Sequence, residues 1–170
     1  MSLQPVWVKV LKQDIKTRWS STYLMLEQAL ELWEVIHEYL HEKSWGTKFT
    51  LSKTEWQQVG TLMQLIHPFA KYTTVLSKSH GPTIHNIFHT YEVIFNHLDK
   101  QDTRLQCSHD PWKSVLQAAL AWAQDKMEKY YGATVEIHGY YYAISMILSP
   151  WFKVAFFTMT SWVENNFKWK

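Results

Sequence analysis

A chain of 170 residues that is 46% hydrophobic and 16% aromatic, ten of them Trp, is long and apolar enough to bury a real core and excludes a wholly disordered chain. A formal net charge of +2 excludes a surface that is basic throughout, so any contact with nucleic acid must be local. The one cysteine, Cys107, excludes an internal disulfide and a multi-cysteine zinc site and suits a reducing compartment.

Taken in chain order, Val6, Val8 and Val10 alternate with Trp7 and Lys9 and predict a short strand or extended arm. The Ser and Thr residues of Thr17-Arg18-Trp19-Ser20-Ser21-Thr22 offer N-caps for a long helix running to about Lys43. On its wheel Leu26, Ala29, Leu30, Trp33, Ile36 and Leu40 share one face, with Glu27, Glu31, Glu34, Glu38 and Glu42 opposite. Trp45-Gly46-Thr47 breaks it, and the capping box Ser52-Lys53-Thr54-Glu55 opens a second helix. Trp56, Val59, Leu62, Met63, Leu65 and Ile66 are expected inward. Pro68 should kink or end this helix, with helical continuation through Phe69, Tyr72, Val75 and Leu76.

Pro82, after His80-Gly81, is placed for the first position of a third helix, carrying Ile84, Ile87, Phe88, Tyr91, Ile94, Phe95 and Leu98. Residues 99–110 are polar, and Asp110-Pro111 predicts the start of a fourth helix through Val115, Leu120, Trp122 and Met127 to Tyr130. Gly132 and Gly139 predict a bracketed loop, followed by a short apolar helix from Tyr141 to Leu148 that Ser149-Pro150 ends. The expectation is an all-α bundle of five or six helices with a short N-terminal extended segment. Its divisions are a basic lead segment 1–16, a helical domain 17–158 and a loosely held tail 159–170. The start of the chain lacks the pattern of a signal peptide, and no apolar run approaches the roughly 20 residues of a membrane span, so a soluble, intracellular chain without membrane contact is expected.

Three constellations bear on chemistry. His37-Glu38-Tyr39-Leu40-His41 matches the H-E-x-x-H spacing of zinc proteases, in which two imidazoles share a helix face and the Glu is a general base. The metzincin extension fails at Ser44 and Thr47, and the wheel sends Glu38 to the solvated acidic row, so a boundary histidine is the reading. His85 and His89, at i and i+4, have the spacing of a surface metal site, but a solvated helix face explains the pair and is the reading. Neither a phosphate loop nor a catalytic pair is visible, so no cofactor, metal or catalytic residue is expected. The third constellation lies at the start, where Lys9, Lys12, Lys16 and Arg18 face only Asp14 and interleave with Trp7 and Trp19. Cations neutralise phosphates and an exposed indole can stack on an unpaired base; the alternative is that Trp19 packs at the helix entry and the cations are merely solvated.

Asp14-Ile15-Lys16-Thr17-Arg18-Trp19-Ser20-Ser21-Thr22-Tyr23, followed by Met25-Leu26, resembles the D-V-x-T-R-W-N-S-T-Y-x-M-L segment of the hAT-family DNA transposases. In the same order, Glu55-Trp56 with Pro68-Phe69, Leu76-Ser77 with Pro82-Thr83-Ile84, and Lys129-Tyr130-Tyr131 with Ile147-Leu148-Ser149-Pro150 resemble later stretches of that family, and the likeness runs from about residue 11 to 157. The resemblance implies the helical region that interrupts an RNase H-like core. The two Asp and one Glu of that core would lie outside this chain, which is therefore expected to be a truncated, non-catalytic transposase fragment. Ser149 and Trp151 stand where the family usually has Asp and Arg. The resemblance further implies DNA as partner (transposon ends or branched DNA), a sister transposase chain or other protein partners, and a nuclear location. Arg18 would contact phosphate, Trp19 would stack on a displaced base, and Lys12 and Lys16 would add attraction. The competing reading is a protein-interaction module, using the acidic helix or exposed aromatics, without nucleic-acid activity.

Overall fold

The computed structural model describes residues 10–15, 19–42, 49–78, 81–106 and 110–158. Among them the fold is all-α: α1 Trp19–Glu31, α2 Trp33–Glu42, α3 Lys53–Leu76, a single 3-10 turn Ile84–Asn86, α4 Ile87–Gln106, α5 Pro111–Leu148 and a closing 3-10 turn Val154–Thr158. No described residue lies in a strand; of the expected arm only Val10 is described, and the tail 159–170 lies outside the described residues. The chain divides into two compact units, Met1–Ala70 and Lys71–Lys170.

In the first unit, the long helix expected to reach Lys43 is interrupted at Leu32. The interruption is slight, because the Leu32 amide donates to the Gln28 carbonyl at 3.0 Å and the Ile36 amide to the Leu32 carbonyl at 2.9 Å. The expected sidedness holds: Leu26, Ala29, Leu30, Ile36 and Leu40 are half-buried, while all five Glu of the opposite row are exposed. Trp33 is the exception on the apolar face, at 45% exposure. The capping box at the start of α3 is formed, with the Ser52 amide donating to Glu55 Oε2 at 2.7 Å and the Glu55 amide to Ser52 Oγ at 3.2 Å. The Ser52 amide first, and the Ser52 hydroxyl second, favour the ionised Glu55 and hold its carboxyl below its usual range. Leu65 is buried as expected, but Leu62 faces outward. Pro68 neither ends nor splits α3; it is buried inside a helix of 24 residues. Burial of the proline ring and of neighbouring Leu65 offsets the lost N–H.

The second unit is built on α4 and α5, joined by a short connection and packed along each other. Its core is Phe88, Met146 and Phe156, with Tyr131, Val135, Tyr142, Ala143 and Phe152 around them. Three expectations are corrected here. Pro82 does not start the third helix: Gly81 takes φ 93°, and Thr83 Oγ1 donates back to the Leu76 carbonyl. A 3-10 turn then precedes α4. The polar stretch after Leu98 is helical to Gln106 and buries Gln101 and Leu105. The largest correction concerns Gly132 and Gly139, which bracket no loop: α5 is one helix of 38 residues. Each mid-helix glycine costs about 1 kcal/mol relative to Ala, less than the burial of Tyr131, Tyr142 and Met146 against Phe88 returns. Asp110-Pro111 does begin α5 as expected, although the Asp110 carboxylate pairs with Lys113 Nζ at 2.8 Å instead of capping through its side chain.

Candidate nucleic-acid interface

The lead segment is laid back along α1 by two sets of hydrogen bonds. Toward the middle of the helix, Gln28 Nε2 donates to the Val10 carbonyl at 3.0 Å, while Gln28 Oε1 accepts from the Lys12 amide. Near the helix start, the Ser21 and Thr22 hydroxyls donate to Asp14 Oδ1 at 2.7 and 2.8 Å, and Ser21 Oγ accepts from the Ile15 amide at 2.7 Å. Residues 10–15 therefore run counter to α1. The seven helical steps from Ser21 to Gln28 correspond to about 10 Å, a distance that an extended stretch from Lys12 to Ile15 covers. The hydroxyl of Ser21, more than that of Thr22, holds the Asp14 carboxyl below the usual carboxylate range. Asp14 thus acts as a local clamp, which accounts for its place ahead of the Thr-Arg-Trp block.

Of the four residues expected to meet DNA, Lys12 is exposed on this strap. Trp19 is the first residue of α1. Lys16 and Arg18 lie outside the described residues. The first turn of α1 carries no acid, and Asp14 sets a negative charge against the positive end of the macrodipole through the Ser21 and Thr22 hydroxyls.

A contact not foreseen from sequence ties this element to α3. Tyr23 is buried, and its hydroxyl donates to Glu27 Oε1 at 2.9 Å and lies 2.8 Å from His67 Nδ1. With its single proton engaged by Glu27, the tyrosine oxygen accepts from His67, which fixes the imidazole as the Nδ1–H form in this arrangement. Burial first, and the Glu27 carboxylate second, push the Tyr23 hydroxyl pKa upward. His67 stands just before Pro68-Phe69, so two of the stretches that carry the hAT resemblance meet here. The signal available in the sequence was only that Tyr23 lies at the end of one stretch and His67 within the other.

The histidine constellations resolve otherwise. His37, Glu38 and His41 are all exposed. Among the described residues, no group of three His, Cys, Asp or Glu is placed to hold a metal ion. His85 and His89 are not a solvated pair: both are half-buried, His85 against Phe152 at 6.1 Å and His89 against Phe152 at 5.3 Å and Phe156 at 6.1 Å between ring centroids. They belong to the aromatic packing of the second unit. Ser149, which stands where the resembled family usually has Asp, is buried and ends α5; its hydroxyl accepts from the Trp151 amide at 3.4 Å. Among the described residues, no helix is long and apolar enough to cross a membrane.

Residues 3–65 match the model of the ZBED1 RNase-like helical domain. That match contains the strap, the clamp, α1, α2 and the first half of α3. Over 150 residues, 88% of its length, the chain is 35% identical to tpeD of Talaromyces stipitatus, named as a candidate transcriptional regulator, of which it covers 15%. Over 146 residues, 86% of its length, it is 27% identical to DAYSLEEPER of Arabidopsis thaliana, a zinc finger BED domain-containing protein, of which it covers 19%. The chain thus spans less than a fifth of either relative. No solved structure matches it. These findings agree with the resemblance at the level of a helical, transposase-derived domain.

Proposed function

We propose that this chain is a non-catalytic, DNA-contacting part of a hAT-like, transposase-derived protein, working in the nucleus. The observation that carries the reading is the strap. Asp14, the one acid among the lead-segment cations, is engaged by Ser21 and Thr22, while Lys12 stands exposed beside the helix that Trp19 begins. In this reading Lys12, Lys16 and Arg18 meet phosphates near the positive end of α1, and Trp19 stacks on an unpaired base. The names of the two relatives, one a regulator and the other a BED zinc finger protein, support a DNA-directed role. Catalytic acids, and any cleavage or strand transfer, would be supplied from outside these residues, by the remainder of a longer protein or by a sister transposase chain.

The test is fluorescence anisotropy of a labelled hairpin DNA and a blunt duplex at two salt concentrations, with wild type and Trp19→Ala. Tighter hairpin binding that weakens with salt and in the variant is the expected result. Folded protein that binds neither DNA at either salt concentration removes the reading.

A second reading, a protein-interaction module, is favoured by α5. Val115, Trp122, Ile137, Tyr140 and Leu148 fall within about 80° on the helical wheel, on the side away from Leu120, Tyr131 and Met146. Their exposures range from 66% to 76%. An apolar stripe of this kind is the usual mark of a protein contact. Under this reading, titration with DNA leaves the protein unchanged, and a partner is held through the α5 stripe.

A further inference from the structure

Where the junction of α1 and α2 meets the start of α3, the first unit holds an open cleft of about 620 Å³ lined by Leu30, Trp33, His37, Leu51, Lys53, Trp56 and Gln57. Two indoles form its aromatic wall, Trp33 and Trp56, with ring centroids 6.5 Å apart and planes inclined at 61°. Trp33 keeps 45% of its surface exposed although it lies on the apolar side of its helix. The rest of the lining is one-sided in charge: it contains an ammonium and an imidazole and no carboxylate. Of the acids next to lining residues in sequence, Glu55 is turned to the Ser52 amide as part of the capping box, and Glu34 and Glu38 are exposed.

A cleft with two indoles, a cation and an amide side chain suits a planar aromatic ring joined to an anion. Indole faces stack on any nucleobase, and an ammonium neutralises the adjoining phosphate. We infer that the Trp33–Trp56 cleft is a pocket for an unpaired nucleotide of single-stranded DNA, with Lys53 facing its phosphate. Duplex DNA cannot use it, because its bases are stacked within the helix and withheld from side chains. The inference rests on the DNA-contacting reading but places a second anchor away from Trp19, so that a displaced strand is held at two points on the same unit.

The experiment uses the whole chain labelled with fluorotryptophan, its resonances assigned through single Trp→Phe variants, and titrated with a short strand of thymidylates. Saturable shifts of the Trp33 and Trp56 resonances are expected. Trp56→Ala should weaken the strand's affinity about tenfold, and Lys53→Ala should reduce the slope of log affinity against log salt by about 0.7. Lys53 is exposed, so that variant keeps the test valid if Trp56→Ala fails to fold. Strand binding that leaves both resonances unmoved, or that Trp19→Ala abolishes while Lys53→Ala and Trp56→Ala do not alter it, overturns the cleft and leaves the DNA reading standing. Absence of binding to the single strand, hairpin and duplex alike overturns both.

Discussion

Asp14 illustrates how one side chain can be assigned to a motif from the sequence while its geometry stays undetermined there. It opens the Thr-Arg-Trp block, and two hydroxyls from the first turn of α1 converge on one of its oxygens. Those bonds favour the ionised form, so its pKa lies below the ordinary 3.8. A carboxyl whose pKa is lower in the folded than in the unfolded chain adds stability above its unfolded pKa. That contribution disappears as pH falls through the folded value. The strap should therefore stay closed at neutral pH and loosen in acid. An NMR titration of the Asp14 carboxyl carbon should give a midpoint below 3.8, and Asp14→Asn should speed exchange of the Ile15 amide at neutral pH. A midpoint at or above the ordinary value would remove the clamp from the account.

Helix α5 is where local and tertiary preferences compete most openly. Gly132 and Gly139 carry the composition of a loop, yet both sit inside a continuous helix. A Cβ built on Gly132 meets nothing within 4 Å. Gly132→Ala should then stabilise the protein by about 1 kcal/mol, because the backbone freedom lost on folding is smaller and the helix preference greater. Gly81 is the opposite case: at φ 93° its backbone conformation disfavours any side chain, and Gly81→Ala should cost about 1–2 kcal/mol. Urea unfolding followed by circular dichroism measures both, and the two changes should have opposite signs. A loss of stability in Gly132→Ala would count against the unbroken helix.

At the scale of the whole molecule, stability and recognition are drawn from different regions. The second unit concentrates its fully buried side chains at Phe88 and Met146, which are 1% and 0% exposed. Phe88 also meets Tyr142 edge-on at 6.0 Å and Tyr131 at 6.2 Å. Phe88→Ala should lower the unfolding free energy by about 3–5 kcal/mol, measured by chemical denaturation. A cost below about 1 kcal/mol would mean the site collapses around the void and is not the centre of the core. The first unit is more open. Its buried contacts centre on Tyr23 and Leu65, while the strap, the acidic row and the Trp33–Trp56 cleft remain accessible. Recognition is expected where burial is light and polar groups converge, and on the outward stripe of α5, which from Val115 to Leu148 is about 50 Å long.

The amino-acid sequence alone determined what depends on neighbours along the chain. Periodicity defined the opposed apolar and acidic faces of α1 and α2, Ser52 and Glu55 marked the start of α3, and Asp110-Pro111 marked the start of α5. Each of these is a local matter of hydrogen-bond geometry and side-chain direction, so local spacing suffices to read it. Tertiary structure decided what depends on contacts between distant segments. Pro68 remains within α3 and Gly132 within α5 because burial outweighs local propensity. His85 and His89 turn to Phe152 and Phe156, and Tyr23 meets His67 across a separation of 44 residues. The cleft between Trp33 and Trp56 belongs to this second class, and the strap over α1 stands between the two: its bonds join residues 6 to 18 apart, close in the chain but linked by no helical or strand period.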